Sequence, residues 1–218
     1  MQTKGFLFDV DGVLYDSMPQ HAKACVQAFS EYGLTVPERL IYLYEGMTEG
    51  EAIRTIGLDI HAELTEETLN KIVERKRLLF NEDARPPLIR GAKELVEHLQ
   101  INHFEFCMVT GSYQQKTIAM IQEDFGMERE DIVTGKEITH GKPHPEPFLL
   151  GLKKLKLPVS EVIAIENAPL GIESAKSAGL KCVALKTGLL SEAELKKCKA
   201  DWVFQDCAEL LRQLSYLN

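Results

Sequence analysis

The sequence predicts an α/β fold: a parallel sheet with helices on both faces, interrupted after its first strand by an all-helical block. Three observations carry this expectation. Gly5 to Phe8 is a short, largely apolar run without proline, the signature of a buried strand. Residues 16–85 carry helical spacing of apolar side chains and no convincing strand. From Gly91 onward short apolar runs alternate with amphipathic stretches, the pattern of a sheet with helical crossovers.

The elements follow in order. Ala22, Cys25, Val26 and Phe29 repeat at helical spacing between Pro19 and Tyr32, and Gly33 stops that helix. A second helix covers Pro37 to Tyr44, and Glu45-Gly46-Met47-Thr48 breaks it before Glu49 to Ile56 resumes. Thr65, with Glu67 and Thr68 nearby, opens a long helix to about Asn81, and Pro86-Pro87 closes the block. Beyond it come a helix at Ala92 to Gln100, a strand at Phe104 to Val109 and a helix around Gln114 to Phe125. Ile132-Val133 is a short extended piece, Pro145 to Leu155 a helix, Val162 to Ile165 a strand and Gly171 to Ala178 a helix. Lys181 to Leu185 and Trp202 to Phe204 read as strands, with a last helix at Ala208 to Leu214. The expected organisation is an α/β core of residues 1–15 and 86–218 with a helical insert of 16–85.

Composition narrows the class of protein. The chain has 218 residues, 44% hydrophobic and 27% charged, which suits a globular domain with an insert rather than a disordered chain. A net charge of −8 argues against nucleic acid or an anionic membrane as a partner, because both demand basic surface. No run approaches the length of a membrane span and no signal-peptide pattern precedes the first strand. Five widely spaced cysteines without a C-x-x-C pair point to a reducing compartment, hence the cytoplasm, with Cys107 and Cys182 as buried apolar groups in strands. No interface stripe stands out, so a monomer is the default expectation.

Chemistry concentrates at strand ends. In Phe8-Asp9-Val10-Asp11-Gly12 two carboxylates at i and i+2 point the same way from extended backbone. The carboxyl ends of parallel strands are where ligands bind, and two close acids there raise each other's pKa unless a cation sits between them. Met108-Val109-Thr110-Gly111-Ser112 places hydroxyls around a glycine after a strand. Such a turn binds a phosphate oxygen through side chain and backbone N–H together, or else it is a plain strand-to-helix turn with Ser112 as N-cap. In Gly141-Lys142-Pro143-His144-Pro145 prolines stiffen a loop that aims one ammonium, with His144 simply exposed. Ile163-Ala164-Ile165-Glu166-Asn167 again ends an apolar strand in an acid, with Gly171 opening the next helix.

These four strings, in this order, resemble the four motifs of the haloacid dehalogenase-like (HAD) superfamily, and the helical insert resembles the small cap of its β-phosphoglucomutase-like members. The resemblance implies a Rossmann-like core, Mg²⁺ as cofactor and a small phosphorylated metabolite as substrate. It implies Asp9 as nucleophile, Asp11 as general acid/base, Lys142 as charge stabiliser, and Thr110, Gly111 and Ser112 as phosphate ligands. Metal ligation falls to Asp9, the Asp11 backbone carbonyl, Glu166 and Asn167, the last a neutral amide where the family commonly has an acid. His21 and Lys76 lie where β-phosphoglucomutase-like proteins carry a histidine and a lysine, which favours sugar phosphates. The mutase pattern, however, has a lysine before the Gly46 position and an arginine after it, and this chain has Glu45 and Glu49. Two anions there would repel a second phosphate. Hydrolysis is therefore expected ahead of a β-phosphoglucomutase-type isomerase and of a non-catalytic HAD-like binding module. Glu45 is expected to approach the metal when the cap closes, and Asp11 to lie in a less cationic environment than Asp9, so that it starts the cycle protonated.

Overall fold

The computed structural model describes residues 3–112 and 114–217. Among them, six strands form one parallel sheet in the order β3-β2-β1-β4-β5-β6. The strands are β1 (Gly5–Phe8), β2 (Glu105–Val109), β3 (Ile132–Val133), β4 (Val162–Glu166), β5 (Lys181–Leu185) and β6 (Trp202–Phe204). After β1 come α1 (Met18–Ser30), α2 (Glu38–Leu43), α3 (Glu49–Asp59) and α4 (Glu66–Glu82). The later helices are α5 (Ala92–Ile101), α6 (Gln115–Phe125), α7 (Glu146–Leu155), α8 (Pro169–Ser177), α9 (Glu192–Lys197) and α10 (Cys207–Gln213).

Side-chain alternation along the strands divides the core into two layers. Phe6, Phe8, Met108, Ile163, Ile165, Val183 and Leu185 face one side, where Leu95 and Leu99 of α5, Ile121 of α6 and Leu210 of α10 cover them. Leu7, Cys107, Val109, Ala164, Cys182 and Ala184 face the other, under Phe148 of α7, Ile172 of α8 and Leu195 of α9. Both faces are buried, which is why these strands read as continuous apolar runs. Cys107 and Cys182 are fully buried free thiols, as expected from their strands. A third cluster, including Phe29, Ile53, Ile56 and Ile72, is drawn from α1 to α4.

Among the departures from the sequence expectation, two have a clear local cause. Helix α9 was not anticipated: it has six residues and one fully buried side chain, Leu195, too few for periodicity to register. Its signal was the capping box, in which Ser191 Oγ accepts the Glu194 N–H and the Glu194 carboxylate accepts the Ser191 N–H. Helix α8 starts at Pro169 rather than Gly171, because proline is at home in a first turn that has no N–H partner to lose. No helix among the described residues is long and apolar enough to cross a membrane.

Candidate active site

The chain runs from β1 outward to β2 and β3 on one side, then returns to place β4 on the other side of β1. The crevice opens at the carboxyl end of β1, where the direction of winding changes. Asp9 follows β1, Thr110 follows β2 and Glu166 ends β4. All three are buried, and so is Lys142, which the loop before α7 delivers to the same point.

Lys142 Nζ joins the acids. It pairs with Asp9 Oδ1, and it donates to Glu166 Oε1 at 2.5 Å. Burial acts to lower the lysine's pKa, but the two carboxylates outweigh it and hold the ammonium well above its ordinary value. Burial pushes Asp9 upward, with Glu166 and Asp11 adding to the rise and Lys142 opposing it. One ammonium is therefore too little charge for this group of acids, and a divalent cation would draw Asp9 back down.

The remaining oxygens fit such an ion. Asn167 Oδ1 is buried without a hydrogen-bond partner, whereas its Nδ2 donates to Glu45 Oε1 at 3.0 Å. The Glu166 carboxylate is oriented by the Asn167 N–H at 3.0 Å. Gly12 and Gly171 make room for these groups: a Cβ would lie 2.1 Å from Asn167 Nδ2 at Gly12 and 1.9 Å from Glu166 Oε1 at Gly171. An oxygen donor set with an orphaned amide oxygen suits Mg²⁺.

Asp11 departs from expectation. Its Oδ1 accepts from Ser17 Oγ at 2.6 Å and lies 3.3 Å from His21 Nε2. Burial would raise its pKa, but His21, Ser17 and more distantly Lys76 pull it down to about 2. Those partners favour the ionised form of Asp11, where a less cationic setting than that of Asp9 was expected. Ser17 was missed by sequence reasoning. It precedes a helix with proline in its first turn and reads as an N-cap, yet its hydroxyl makes no capping bond and serves Asp11 instead.

The helical block closes the crevice from above. Lys142 N–H donates to Gly46 O at 3.1 Å, which docks the 45–48 loop on the lysine's own loop. Glu45, half-buried rather than an exposed loop acid, has its pKa pushed well up by burial and then by Asp9, Glu166 and Asp11. His21 stacks on Phe80 with ring centroids 4.1 Å apart. Lys76 Nζ lies 3.3 Å from the Glu49 carboxylate, which Arg77 also holds at 2.5 Å. A cavity of about 90 Å³ opens between these groups, lined by Asp9, Asp11, His21, Glu45, Lys76, Gly111 and Ser112, with apolar Met18, Ile41, Ile53 and Ile56. All four also belong to the core of the helical block, which hid their place in the cavity.

The hydroxyl turn after β2 is tightly held. Thr110 Oγ1 accepts the Ser112 N–H at 3.0 Å, and Ser112 Oγ accepts the Gln114 N–H at 3.2 Å, ahead of α6. Ser112 thus spends its hydroxyl on the entry to α6, and Gln114 holds the N-cap position expected for Ser112.

Fold and site define a doubly wound α/β protein with a buried carboxylate–lysine–carboxylate centre at the switch point of its sheet. Residues 6–185 match the haloacid dehalogenase-like hydrolase family. The chain belongs to that family and is an enzyme of its phosphatase group. A phosphorylated carbohydrates phosphatase of Thermotoga maritima is 28% identical over 178 residues, covering 80% of this chain and 81% of that one. Hexitol phosphatase A of Escherichia coli is 29% identical over 204 residues, 89% of this chain and 90% of its own. A solved structure from Bacteroides vulgatus, described provisionally as a β-phosphoglucomutase, superposes with a TM-score of 0.91 at 30% identity, covering 99% of this chain and 89% of that one.

Proposed function

We propose that the protein is a Mg²⁺-dependent phosphohydrolase that works through an aspartyl-phosphate on Asp9. Its substrate is a small phosphorylated metabolite: a sugar or polyol phosphate, or pyrophosphate. The observation that carries this reading is the convergence of Asp9, Lys142 and Glu166 beside the unpartnered Asn167 oxygen. Residues 16–85 act as a cap over the core formed by 1–15 and 86–218.

Mg²⁺, held by Asp9, the Asp11 carbonyl, Glu166 and Asn167, would supply positive charge against the phosphoryl oxygens. Asp9 attacks phosphorus in line, Lys142 offsets the charge that develops, and the Thr110 turn holds the phosphoryl group. Asp11 gives a proton to the leaving oxygen and later takes one from the attacking water. Asp11 is held toward its ionised form before substrate arrives, and the negative charge of the entering phosphate raises it toward the protonated form that the step uses. Asp11→Asn is expected to lower kcat by roughly 10²–10⁴ with little change in KM, measured by phosphate release. Wild-type kcat in this variant would remove Asp11 from proton transfer.

Sugar and polyol phosphates are supported by the two named relatives. The mutase alternative needs a cation in the cap for a second phosphate. Glu45 opposes that, and Glu49 engages both Lys76 and Arg77. A phosphate-release screen over sugar phosphates, polyol phosphates, nucleotides and pyrophosphate, with Mg²⁺ and with chelator, tests the proposal. Chelator-sensitive release from one of these classes is expected. Isomerisation of a sugar phosphate without net phosphate release, or no turnover of any class, overturns it.

Glu45 adds a charge to the metal site from the cap, where the neutral Asn167 supplies none. A group whose pKa is raised on folding favours the folded form below its ordinary range, and that contribution is lost as pH rises through the raised value. At neutral pH the raised Glu45 carboxyl therefore costs the metal-free closed form stability, whether it stays ionised or takes up a proton. Glu45→Gln is expected to raise the metal-free Tm at pH 7 by a few degrees and to weaken Mg²⁺ binding about tenfold. Calorimetry showing unchanged Mg²⁺ affinity would detach Glu45 from the metal.

A further inference from the structure

We propose that His140, His144 and Glu146 form a second cation site, suited to a borderline transition metal such as Zn²⁺, on the loop that carries Lys142. The three side chains bring one ligand atom each to within 4.8 Å of one another. His140 Nδ1 lies 3.0 Å from Glu146 Oε2, and His144 Nδ1 lies 3.8 Å from the same oxygen. Tetrahedral ligands at zinc bond lengths of about 2.05 Å stand roughly 3.3 Å apart, between these two separations. The imidazole ring centroids lie 4.6 Å apart, with the ring planes tilted by 34°.

The supporting bonds are those that orient a ligand set. Glu146 does not swing freely: its Oε1 accepts the Thr139 N–H at 2.7 Å and its Oε2 the His140 N–H at 3.0 Å. The loop is pinned at His144, whose carbonyl accepts Ser174 Oγ at 2.6 Å, and at Lys142, whose N–H reaches Gly46 O at 3.1 Å. Metal binding needs only small local changes. The ion takes the place of the proton between His140 Nδ1 and Glu146 Oε2, and it displaces the bond from the Glu146 N–H to His144 Nδ1, 3.2 Å long.

Ligand chemistry separates this site from the crevice. Two imidazoles and one carboxylate suit Zn²⁺, Co²⁺ or Ni²⁺, whereas Mg²⁺ prefers the all-oxygen set around Asp9. All three side chains reach solvent, His140 and His144 at 58% and 50%, so water fills the remaining coordination position. Bound metal would tie residue 140 to residues 144 and 146 across Lys142, bracing the loop that delivers the ammonium to the core.

The test uses metal-stripped full-length protein titrated with Co²⁺ in a large excess of Mg²⁺, followed by visible absorption and by competition with Zn²⁺. Wild type is expected to bind one Co²⁺ per chain in a form displaced by Zn²⁺. The His140→Ala/His144→Ala variant, and His140→Gln alone, are expected to bind at least tenfold more weakly while keeping the wild-type melting curve in Mg²⁺. Identical isotherms for wild type and these variants, or no Co²⁺ bound to wild type under excess Mg²⁺, would overturn the site.

Discussion

Asp9→Asn is expected to reduce phosphate release to the uncatalysed background while leaving the fold in place. The position is fixed by backbone, since the Asp9 N–H donates to Ile165 O at 2.9 Å across β1 and β4. An asparagine can sit there and still offer an oxygen to Lys142, so structure is preserved while nucleophilicity is lost. A neutral carboxamide cannot form the acyl phosphate that splits the reaction into two steps. The remaining groups would still bind phosphate and stabilise charge, and this separates the outcome from a simple loss of binding. Phosphate affinity, measured calorimetrically with Mg²⁺ present, should stay within a few-fold of wild type or improve, because one negative charge beside the ligand is gone. Turnover by the variant at a substantial fraction of the wild-type rate would rule out the covalent route. Acid-quenched wild type trapped with labelled substrate should carry label on Asp9, and the variant none.

The residues around Asp9 were legible in the sequence for a physical reason. A strand whose two faces are both buried must be apolar along its length, so the first acid after it marks the strand's end. Gly5 to Phe8 before Asp9 and Val162 to Ile165 before Glu166 both show this, and parallel pairing of β1 with β4 brings the two ends together. Lys142 was legible through the prolines that follow it, but its two-carboxylate partnership depends on a loop whose path no local pattern encodes. The helical block was readable as helices and much less readable as a surface. Ile53, Ile56 and Met18 belong both to its own core and to the cavity wall, and periodicity alone cannot say which neighbour an apolar side chain meets.

Charge placement was the least legible level. Asp11 and Asp9 are two residues apart and chemically alike, yet their pKa values are driven in opposite directions. Their partners come from distant parts of the chain: His21 and Lys76 from α1 and α4 for Asp11, and Glu166 for Asp9. Asp11 shows the consequence for stability. Its carboxyl is held near 2 against an ordinary 3.8, so the stability it contributes is present above the ordinary value and is lost as pH falls from about 4 through about 2. Asp9 has the opposite sign in the metal-free protein: its ionisation works against the closed site as pH rises.

Lys142→Met tests that same electrostatic balance where it is largest. Methionine nearly matches the length of the aliphatic stem but removes the ammonium that both Asp9 and Glu166 contact. Two buried carboxylates would then face each other without a counter-charge. Removing one partner of a buried ionic group typically costs about 3–5 kcal/mol. For a chain of this size that is a fall of about 10 °C in metal-free Tm at pH 7. The loss should shrink as pH is lowered, because protonating Asp9, already pushed upward by burial, removes the repulsion. It should also shrink in Mg²⁺, whose charge can serve both carboxylates, so the variant should gain more Tm from Mg²⁺ than wild type does. Activity should remain far below wild type even at saturating Mg²⁺, since the cation that offsets the transferring phosphoryl charge is missing. A metal-free Tm equal to that of wild type would mean that the ammonium does not stabilise the fold, and that Lys142 contributes its charge to chemistry alone.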